Sequence, residues 1–238
     1  MSEDCVLTAE TPTRLGPPVN QRAASPTSAA EPLIGSAWAG KRMVDVALAL
    51  VLLVLALPIV VVSAVMIKLT TTGPVLFRQR RVGRGGREFP LLKFRTMHVN
   101  SEARLRDDAN LHELFLNGSH KIPCRIDPRV TGIGRVLRRL SFDELPQLLN
   151  VLAGHMSIVG PRPVERTQFD LDYGGYEQAY LSLRPGLTGL WQVSGRSKVQ
   201  FPERAQLDRH YLTFCGPWLD AKIILRTPLV IVTGLGAD

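Results

Sequence analysis

Two adjacent carboxylates, Asp143 and Glu144, are the residues of this 238-residue chain best suited to chemistry. Ser141 precedes them as a suitable N-cap, and Glu144, three residues on, completes a capping-box pattern ahead of a leucine row at helical spacing. Pro146 then falls in the first turn of the predicted helix, where its missing N–H costs little. Carboxylates in a first turn complement the helix dipole, and by pattern alone that structural role is commoner than catalysis.

The arginines around this pair favour a chemical role. The preceding segment carries Arg125, Arg129, Arg135, Arg138 and Arg139, opposed only by Asp127. Nearby cations and a helix N-terminus keep a carboxylate ionised, as a nucleophile requires, and they attract phosphate. Adjacent acids can also divide the work, one attacking and the other holding a divalent cation that neutralises a pyrophosphate.

A short hairpin is predicted over residues 75–92, around the turn Gly83-Arg84-Gly85-Gly86. Most of the arginines in residues 78–95 suit a solvated face against anionic headgroups. Lys93 and Arg95 lie closer to a packed strand, so they are better candidates for a specific anion site. Residues 101–117 suit one amphipathic helix.

Two proline- and glycine-rich segments follow the carboxylate pair. Pro161 and Pro163 enclose Arg162, which limits where its guanidinium can point; it suits either bidentate phosphate binding or a structural salt bridge. Arg184 begins the second segment, residues 184–196, which either lines a nucleotide or sugar pocket or simply connects strands.

Composition limits the partners and the compartment. A formal net charge of +8 and a pI near 9.9 predict an anionic partner. The three cysteines are odd in number and far apart, which indicates a reducing compartment without a disulfide framework. The five histidines show no metal-binding spacing. Residues 1–37 are rich in Pro, Ser, Thr and Ala, which predicts a disordered tail.

The segment from Val44 to Leu69 is almost entirely apolar and exceeds the roughly 20 residues that cross a bilayer. Basic residues flank it on both sides, so the positive-inside bias draws both ends toward the cytoplasm. Pro58, near its midpoint, favours a kink. A re-entrant helix–break–helix and a tilted, kinked single span both agree with these observations.

A set of motifs in order gives the chain a specific resemblance. From about Lys41 to the C-terminus it resembles the bacterial sugar transferase family, the monotopic polyprenyl-phosphate phosphoglycosyl transferases, and within it the exopolysaccharide-type glucose and galactose phosphotransferases. The motifs are Lys41-Arg42-x-x-Asp45, Gly73-Pro74-Val75, Lys93-Phe94-Arg95-Thr96-Met97, Asp127-Pro128-Arg129-Val130-Thr131, Asp143-Glu144-Leu145-Pro146-Gln147, Gly160-Pro161-Arg162-Pro163 and Arg184-Pro185-Gly186-Leu187-Thr188-Gly189.

The resemblance implies a fold and a location. We expect an α+β membrane-associated protein with a re-entrant helix over residues 38–72, broken at Pro58, and a catalytic domain over residues 73–238. Amphipathic interfacial helices and a small sheet complete the expected fold. The catalytic domain would lie on the cytoplasmic face of a bacterial inner membrane.

The resemblance also implies an activity, the transfer of a sugar 1-phosphate from a UDP-sugar to undecaprenyl phosphate with release of UMP, which initiates exopolysaccharide or other surface glycan assembly. Asp143 matches the nucleophile that forms a phosphosugar–aspartate, and Glu144 matches a Mg²⁺ ligand. Arg138 and Arg162 match positions that hold phosphate, and Asp208 and Asp220 match acidic positions. The full set of candidate substrate- or phosphate-binding residues is Arg138, Pro161, Arg162, Arg129, Arg184, Lys93, Arg95, Asp208 and Asp220.

Three departures from the family pattern leave the carboxylate pair untouched. His155 replaces a usual aspartate, Leu57 precedes Pro58 where serine is usual, and an acidic residue is missing from Thr70-Thr71-Thr72. The expected partners are the UDP-sugar, polyprenyl phosphate and membrane lipid, without nucleic acid; a homodimer is plausible. The alternative function is a non-catalytic, membrane-anchored basic module that binds nucleic acid or anionic lipid. The transferred sugar is not determined by the sequence.

Overall fold

The structure, a computed structural model, describes residues 36–117, 122–195, 199 and 203–233. The predicted N-terminal tail, residues 1–37, lies almost entirely outside the described residues. Within these ranges the chain is rich in helices and carries two small two-stranded sheets, one antiparallel and one parallel. This confirms the α+β class expected from the sequence.

Helix α1, Ser36–Thr70, contains 35 residues and is therefore about 52 Å long. Within Gly40–Thr70, the most apolar stretch of 18 residues has a mean hydropathy of 3.1, and only 17% of its residues are buried, so α1 is long and apolar enough to cross a membrane. Pro58 lies inside this one helix, and the predicted break there is not seen. The re-entrant path stays a prediction.

One face of α1 packs against the rest of the protein. Its buried residues recur at helical spacing, namely Asp45, Ala49, Ala56, Ser63 and Ile67. Most of its other apolar side chains are exposed. The carboxylate of Asp45 accepts hydrogen bonds from the Ser157 hydroxyl (2.8 Å) and the Ile158 N–H (3.0 Å). Near the opposite end, Ile67 packs against Phe94 and Leu137. Both ends of α1 therefore contact the part of the chain that follows it.

The predicted hairpin is confirmed. Strands β1, Leu76–Val82, and β2, Glu88–Phe94, pair in antiparallel register, with Leu76 opposite Phe94. A 3-10 turn, Arg84–Gly86, joins them, and Gly85 adopts a φ of 69° that glycine tolerates best. Phe89 and Leu91, on one face of β2, are buried in the largest core cluster, whereas Phe94, on the other face, is buried against Ile67 and Leu137.

The helices after the hairpin are short. The region predicted as one helix forms two, α2 (Ser101–Asp107) and α3 (Ala109–Asn117), because Asp108 is extended and its side chain accepts a hydrogen bond from the N–H of Leu111. Helix α4, Gly132–Arg139, is capped by the Thr131 hydroxyl, which accepts from the N–H of Gly134 at 3.0 Å.

Helix α5, Gln147–Leu152, leads into β3, Ser157–Val159, which pairs in parallel with β4, Gly186–Thr188. Residues 184–196, which the sequence assigned to a pocket lining or a connection, thus contain a strand, β4. The remaining helices are α6 (Arg166–Asp172), α7 (Glu177–Ser182), α8 (Leu190–Ser194), α9 (Glu203–Phe214) and α10 (Pro217–Val232). Side chains from α1, α5, β2, β3, α9 and α10 form the largest core cluster.

Candidate active site

The carboxylate pair lies on a single 3-10 turn, Phe142–Glu144, between α4 and α5. Ser141 adopts a left-handed φ of 59°, and it is the only non-glycine residue with positive φ in the part of the chain that the structure describes. Its side chain makes no capping hydrogen bond, and Pro146 is the residue that precedes α5. The predicted capping box is therefore wrong. Strained backbone of this kind costs of order 1–3 kcal/mol and clusters at functional sites.

Two cations flank the pair. The ammonium of Lys93, on β2, donates to the Glu144 carboxylate at 2.9 Å. Arg138, in the last turn of α4, donates from its Nε to the Thr96 hydroxyl at 2.8 Å, which fixes its guanidinium. Lys93 and Arg138 both act electrostatically on Asp143. The structure thus brings together four predicted site residues from β2, α4 and the 3-10 turn, namely Lys93, Arg138, Asp143 and Glu144.

The pKa of Asp143 is raised to about 6, first because the carboxyl is desolvated by its surroundings and second because Glu144 is adjacent. Lys93 and Arg138 oppose this rise without overcoming it. The cations therefore do not hold the pKa of Asp143 at its ordinary value. With a pKa of about 6, most of the carboxylate is still ionised at neutral pH, and it is more basic than an ordinary aspartate.

The pair lies next to the membrane helix. Phe142, the residue before Asp143, packs on the cluster formed by Ile67 of α1, Phe94 of β2 and Leu137 of α4. The turn that carries Asp143 and Glu144 therefore shares one packed group of side chains with α1.

Several other predicted residues make structural contacts. Arg129 forms a two-point pair with buried Asp127, with distances of 2.9 and 2.8 Å. Arg95 is 6% exposed and donates to the Thr71 hydroxyl at 2.6 Å, beyond the end of α1. Its Nε and Nη1 are buried without a hydrogen bond.

Arg184 and Asp220 also serve the fold. The Nε of Arg184 donates to the Gly154 carbonyl at 2.8 Å. Asp220, near the start of α10, pairs with Lys41 of α1 and accepts from the Tyr211 hydroxyl at 2.8 Å. Asp220 thus joins the first described helix to the last.

Arg162 and Asp208 form a second group, and the carbonyl of Pro161, beside Arg162, accepts from the Gly186 N–H at 2.8 Å. Asp208 is 2% exposed and accepts from the Arg162 N–H at 3.2 Å and the Tyr173 hydroxyl at 2.7 Å. The Arg162 guanidinium lies 4.9 Å from the centre of the Trp191 ring. Among the described residues, no hydrogen bond or ion pair joins this group to Asp143 or Glu144.

Sequence reasoning missed several contributors. Thr96, Tyr173 and Tyr180 were not singled out, because a hydroxyl is informative only once its partner is known. His155, at the position where the family usually has aspartate, is exposed and stacks on Phe89 with ring centres 5.5 Å apart. It contacts the hairpin there.

The donor set fits Mg²⁺. Magnesium prefers carboxylate oxygens and is commonly held by one or two of them together with substrate phosphates. Asp143 and Glu144 supply adjacent carboxylates, and the cation Lys93 already occupies one oxygen of Glu144 at 2.9 Å. No cluster of three or more potential metal ligands occurs among the described residues.

An acidic pair among cations, beside an apolar helix, suits group transfer between anionic substrates at a membrane, the chemistry of a membrane-bound transferase. Comparison with known families agrees. Residues 36–234 match the family described as bacterial sugar transferase, and the chain belongs to that family.

Relatives of known name cover most of the chain. An exopolysaccharide production protein ExoY of Sinorhizobium fredii is 40% identical over 194 residues, 79% of this chain and 83% of that protein. A UDP-glucose:undecaprenyl-phosphate glucose-1-phosphate transferase of Caulobacter vibrioides is 43% identical over 201 residues, 81% of this chain and 70% of that protein. An undecaprenyl-phosphate galactose phosphotransferase of Salmonella typhimurium is 39% identical over 204 residues, 83% of this chain but 41% of that protein.

Proposed function

We propose that this transferase moves a sugar 1-phosphate from a UDP-sugar to undecaprenyl phosphate, with a phosphosugar carried on Asp143 and UMP released. The observation that carries the proposal is the position of Asp143 and Glu144 between Lys93 and Arg138, on a turn packed against α1. The named relatives supply the substrate class, and the reaction would initiate the assembly of a surface glycan.

The site suits substrates from two phases. A UDP-sugar is dissolved in water, whereas a polyprenyl phosphate keeps its chain in the bilayer and its phosphate at the surface. Because Phe142 packs with Ile67 of α1, the adjacent Asp143 lies beside the membrane element. A nucleophile in that position reaches both substrates in turn.

In the first step, a carboxylate oxygen of Asp143 attacks the phosphorus that bears the sugar. The new bond joins Asp143 to that phosphorus, the bond to the bridging oxygen breaks, and UMP leaves with the electron pair. In the second step, a phosphate oxygen of the polyprenyl phosphate attacks the same phosphorus and frees Asp143. The raised pKa of Asp143 makes it a better nucleophile than an ordinary aspartate while leaving most of it ionised.

Charge is the main barrier in both steps, because a carboxylate and two phosphorylated substrates repel each other. Arg138 is fixed by Thr96 and offers its remaining N–H groups to phosphate oxygens. Bound Mg²⁺, held by Glu144 with Asp143 beside it, would neutralise the diphosphate. Lys93, which donates to Glu144 at 2.9 Å, adds a further positive charge beside the two carboxylates.

The proposal is tested by UMP release from purified protein in lipid nanodiscs, supplied with magnesium, undecaprenyl phosphate and a panel of UDP-sugars. We expect one or more sugars to support turnover, Asp143→Asn to abolish it, and radiolabelled sugar phosphate to remain on Asp143 when the acceptor is omitted. Asp170→Asn, which changes an exposed carboxylate on α6, is the matched control and should keep full activity. Full activity of Asp143→Asn would refute the nucleophile assignment.

We further propose that both ends of α1 lie on the cytoplasmic face of a bacterial inner membrane, as in a re-entrant path. The supporting observation is that Asp45 near one end and Ile67 near the other both pack on the catalytic domain. Cysteines introduced at Ser36 and Asn100, in a chain whose native cysteines are replaced, should both be labelled only from the cytoplasmic side. Labelling from opposite sides would establish a true span.

The alternative, a non-catalytic binder of nucleic acid, rests on the exposed arginines of the hairpin, such as Arg78, Arg80 and Arg84. It predicts tight DNA binding that weakens steeply with salt. It gives no role to the strained turn that carries Asp143. A salt titration showing no affinity for DNA would remove this alternative.

A further inference from the structure

The backbone of Arg162 is held on both sides by buried polar side chains. Its N–H donates to the Asp208 carboxylate at 3.2 Å, and its carbonyl accepts from the Tyr180 hydroxyl at 2.8 Å. Tyr173 donates to the same oxygen of Asp208 at 2.7 Å. Tyr173, Tyr180 and Asp208 are each no more than 2% exposed. We call these three residues the Arg162 clamp.

The clamp is built from three helical segments whose aromatic rings pack together. Tyr173 follows α6, Tyr180 lies on α7 and Asp208 lies on α9. The ring centres of Tyr173 and Tyr180 are 4.7 Å apart, and Phe169 packs on both. Buried hydrogen bonds that close such a packed group fix geometry more than exposed ones do.

The electrostatics keep the clamp closed at neutral pH. The pKa of Tyr180 is raised well above its ordinary value, first by burial and then by the charge of Asp208, so its hydroxyl stays protonated and remains a donor. The other oxygen of Asp208, Oδ1, is buried without a hydrogen bond. A buried carboxylate with an unpaired oxygen reduces stability, which favours a role other than stabilising the fold.

The side chain of Arg162, in contrast, is left available. Its guanidinium lies on the Trp191 ring, at 4.9 Å from the ring centre, and no carboxylate among the described residues forms an ion pair with it. A second cation, Arg204, lies 4.8 Å from the same ring. Two guanidinium groups on one buried indole make a positively charged, rigid surface suited to a diphosphate.

We propose that Tyr173, Tyr180 and Asp208 are positioning residues, which act through Arg162 to bind the diphosphate of the donor. This inference rests on the proposed function. It assigns Asp208 to the backbone of Arg162 and not to substrate phosphate. The donor is favoured over the lipid acceptor because Phe142, beside the carboxylate pair, packs with Ile67 of α1, whereas Tyr173 and Tyr180 belong to a core cluster of described residues that has no member from α1.

The test is a double-mutant cycle on the full chain in nanodiscs. Tyr180→Phe removes one hydroxyl, and we expect it to raise KM for the UDP-sugar about fivefold while KM for undecaprenyl phosphate stays unchanged. In an Arg162→Ala background, Tyr180→Phe should have no further effect, because the group it positions is absent. Tyr173→Phe provides a second, independent test of the same expectation.

Tyr176→Phe is the matched control, since Tyr176 is 38% exposed and lies outside the clamp. It should leave both KM values unchanged. Additive effects of Tyr180→Phe and Arg162→Ala, or equal changes in both KM values, would overturn the inference while leaving the transferase proposal intact. Absence of turnover by the native chain with every UDP-sugar would instead refute the proposed function, and the positioning role would fall with it.

Discussion

Two glycines in α4 allow a sharp test of how the site is held. A Cβ on Gly134 would lie 2.1 Å from the carbonyl oxygen of Thr96, whereas a Cβ on Gly132 would meet nothing within 4 Å. The same Thr96 carbonyl accepts hydrogen bonds from the backbone N–H of Thr131 (3.0 Å) and from its hydroxyl (3.2 Å). The Thr96 hydroxyl fixes Arg138. Helix α4 therefore lies on Thr96 with no room for a side chain at residue 134.

Gly134→Ala should displace the helix and with it Arg138. Ordinary Cβ contacts begin at 3.4 Å, so α4 must move by roughly 1 Å. Overpacking of this kind costs about 1–3 kcal/mol of folding free energy. A 1 Å displacement of a catalytic group lowers turnover by about 100-fold. Gly132→Ala should change stability by less than about 1 kcal/mol, in the favourable direction if at all.

The measurements are the midpoint of thermal unfolding and UMP release for both variants in the same nanodiscs. We expect Gly134→Ala to unfold at a lower temperature and to lose most of its turnover, with Gly132→Ala close to the native protein. Equal behaviour of the two alanine variants would show that the contact between α4 and Thr96 does not position the site.

Three further predictions follow from the described contacts. Chelation of magnesium should abolish UMP release, and Glu144→Gln should raise the magnesium concentration needed for half-maximal rate; an unchanged requirement would exclude Glu144 as the ligand. Burial raises the pKa of Asp208 from 3.8 to about 6, so its protonated form is favoured by the fold, and this group makes the protein less stable as pH rises from about 4 to 6, by up to about 3 kcal/mol. Asp208→Asn should flatten that part of the pH dependence of thermal unfolding; an unaltered profile would contradict the raised pKa. Asp45→Ala leaves the buried Ile158 N–H without its acceptor and should lower the free energy of unfolding by about 1–3 kcal/mol. An unchanged free energy of unfolding would show that this hydrogen bond does not hold the N-terminal part of α1 in place.

Sequence patterns predicted the local elements well where period and turn chemistry agree. The hairpin followed from two apolar strands around a glycine-rich turn, and α1 followed from a long apolar run. The turn at Ser141 could not be predicted in this way. A serine followed three residues later by glutamate has the capping-box pattern, and that pattern carries no sign of the left-handed Ser141 or of the packing of Phe142 against α1 and Leu137.

The candidate site was predictable in its identity and less so in its electrostatics. Asp143 and Glu144 stood out from the sequence, and Lys93 and Arg138 were among the candidate cations. The surrounding cations predicted an ionised Asp143, but the burial that raises its pKa to about 6 is not visible in a sequence. Arg129 had the same appearance as Arg138, yet it is held by Asp127, two residues away in the chain. Which arginine can bind a substrate phosphate depends on which of them forms an ion pair within the folded protein.

The shared packing of Phe142 and Ile67 has a consequence for how the enzyme meets its lipid. In the proposed reaction, Asp143 keeps a fixed distance from α1, since Phe142 beside it packs directly on that helix. An acceptor phosphate held at the level of the lipid headgroups would then reach Asp143 by lateral diffusion alone. Lipids that change the depth of α1 in the bilayer would also change the depth of Asp143. Bilayer thickness would therefore act on the proposed reaction through the cluster of Ile67, Phe94 and Leu137 on which Phe142 packs.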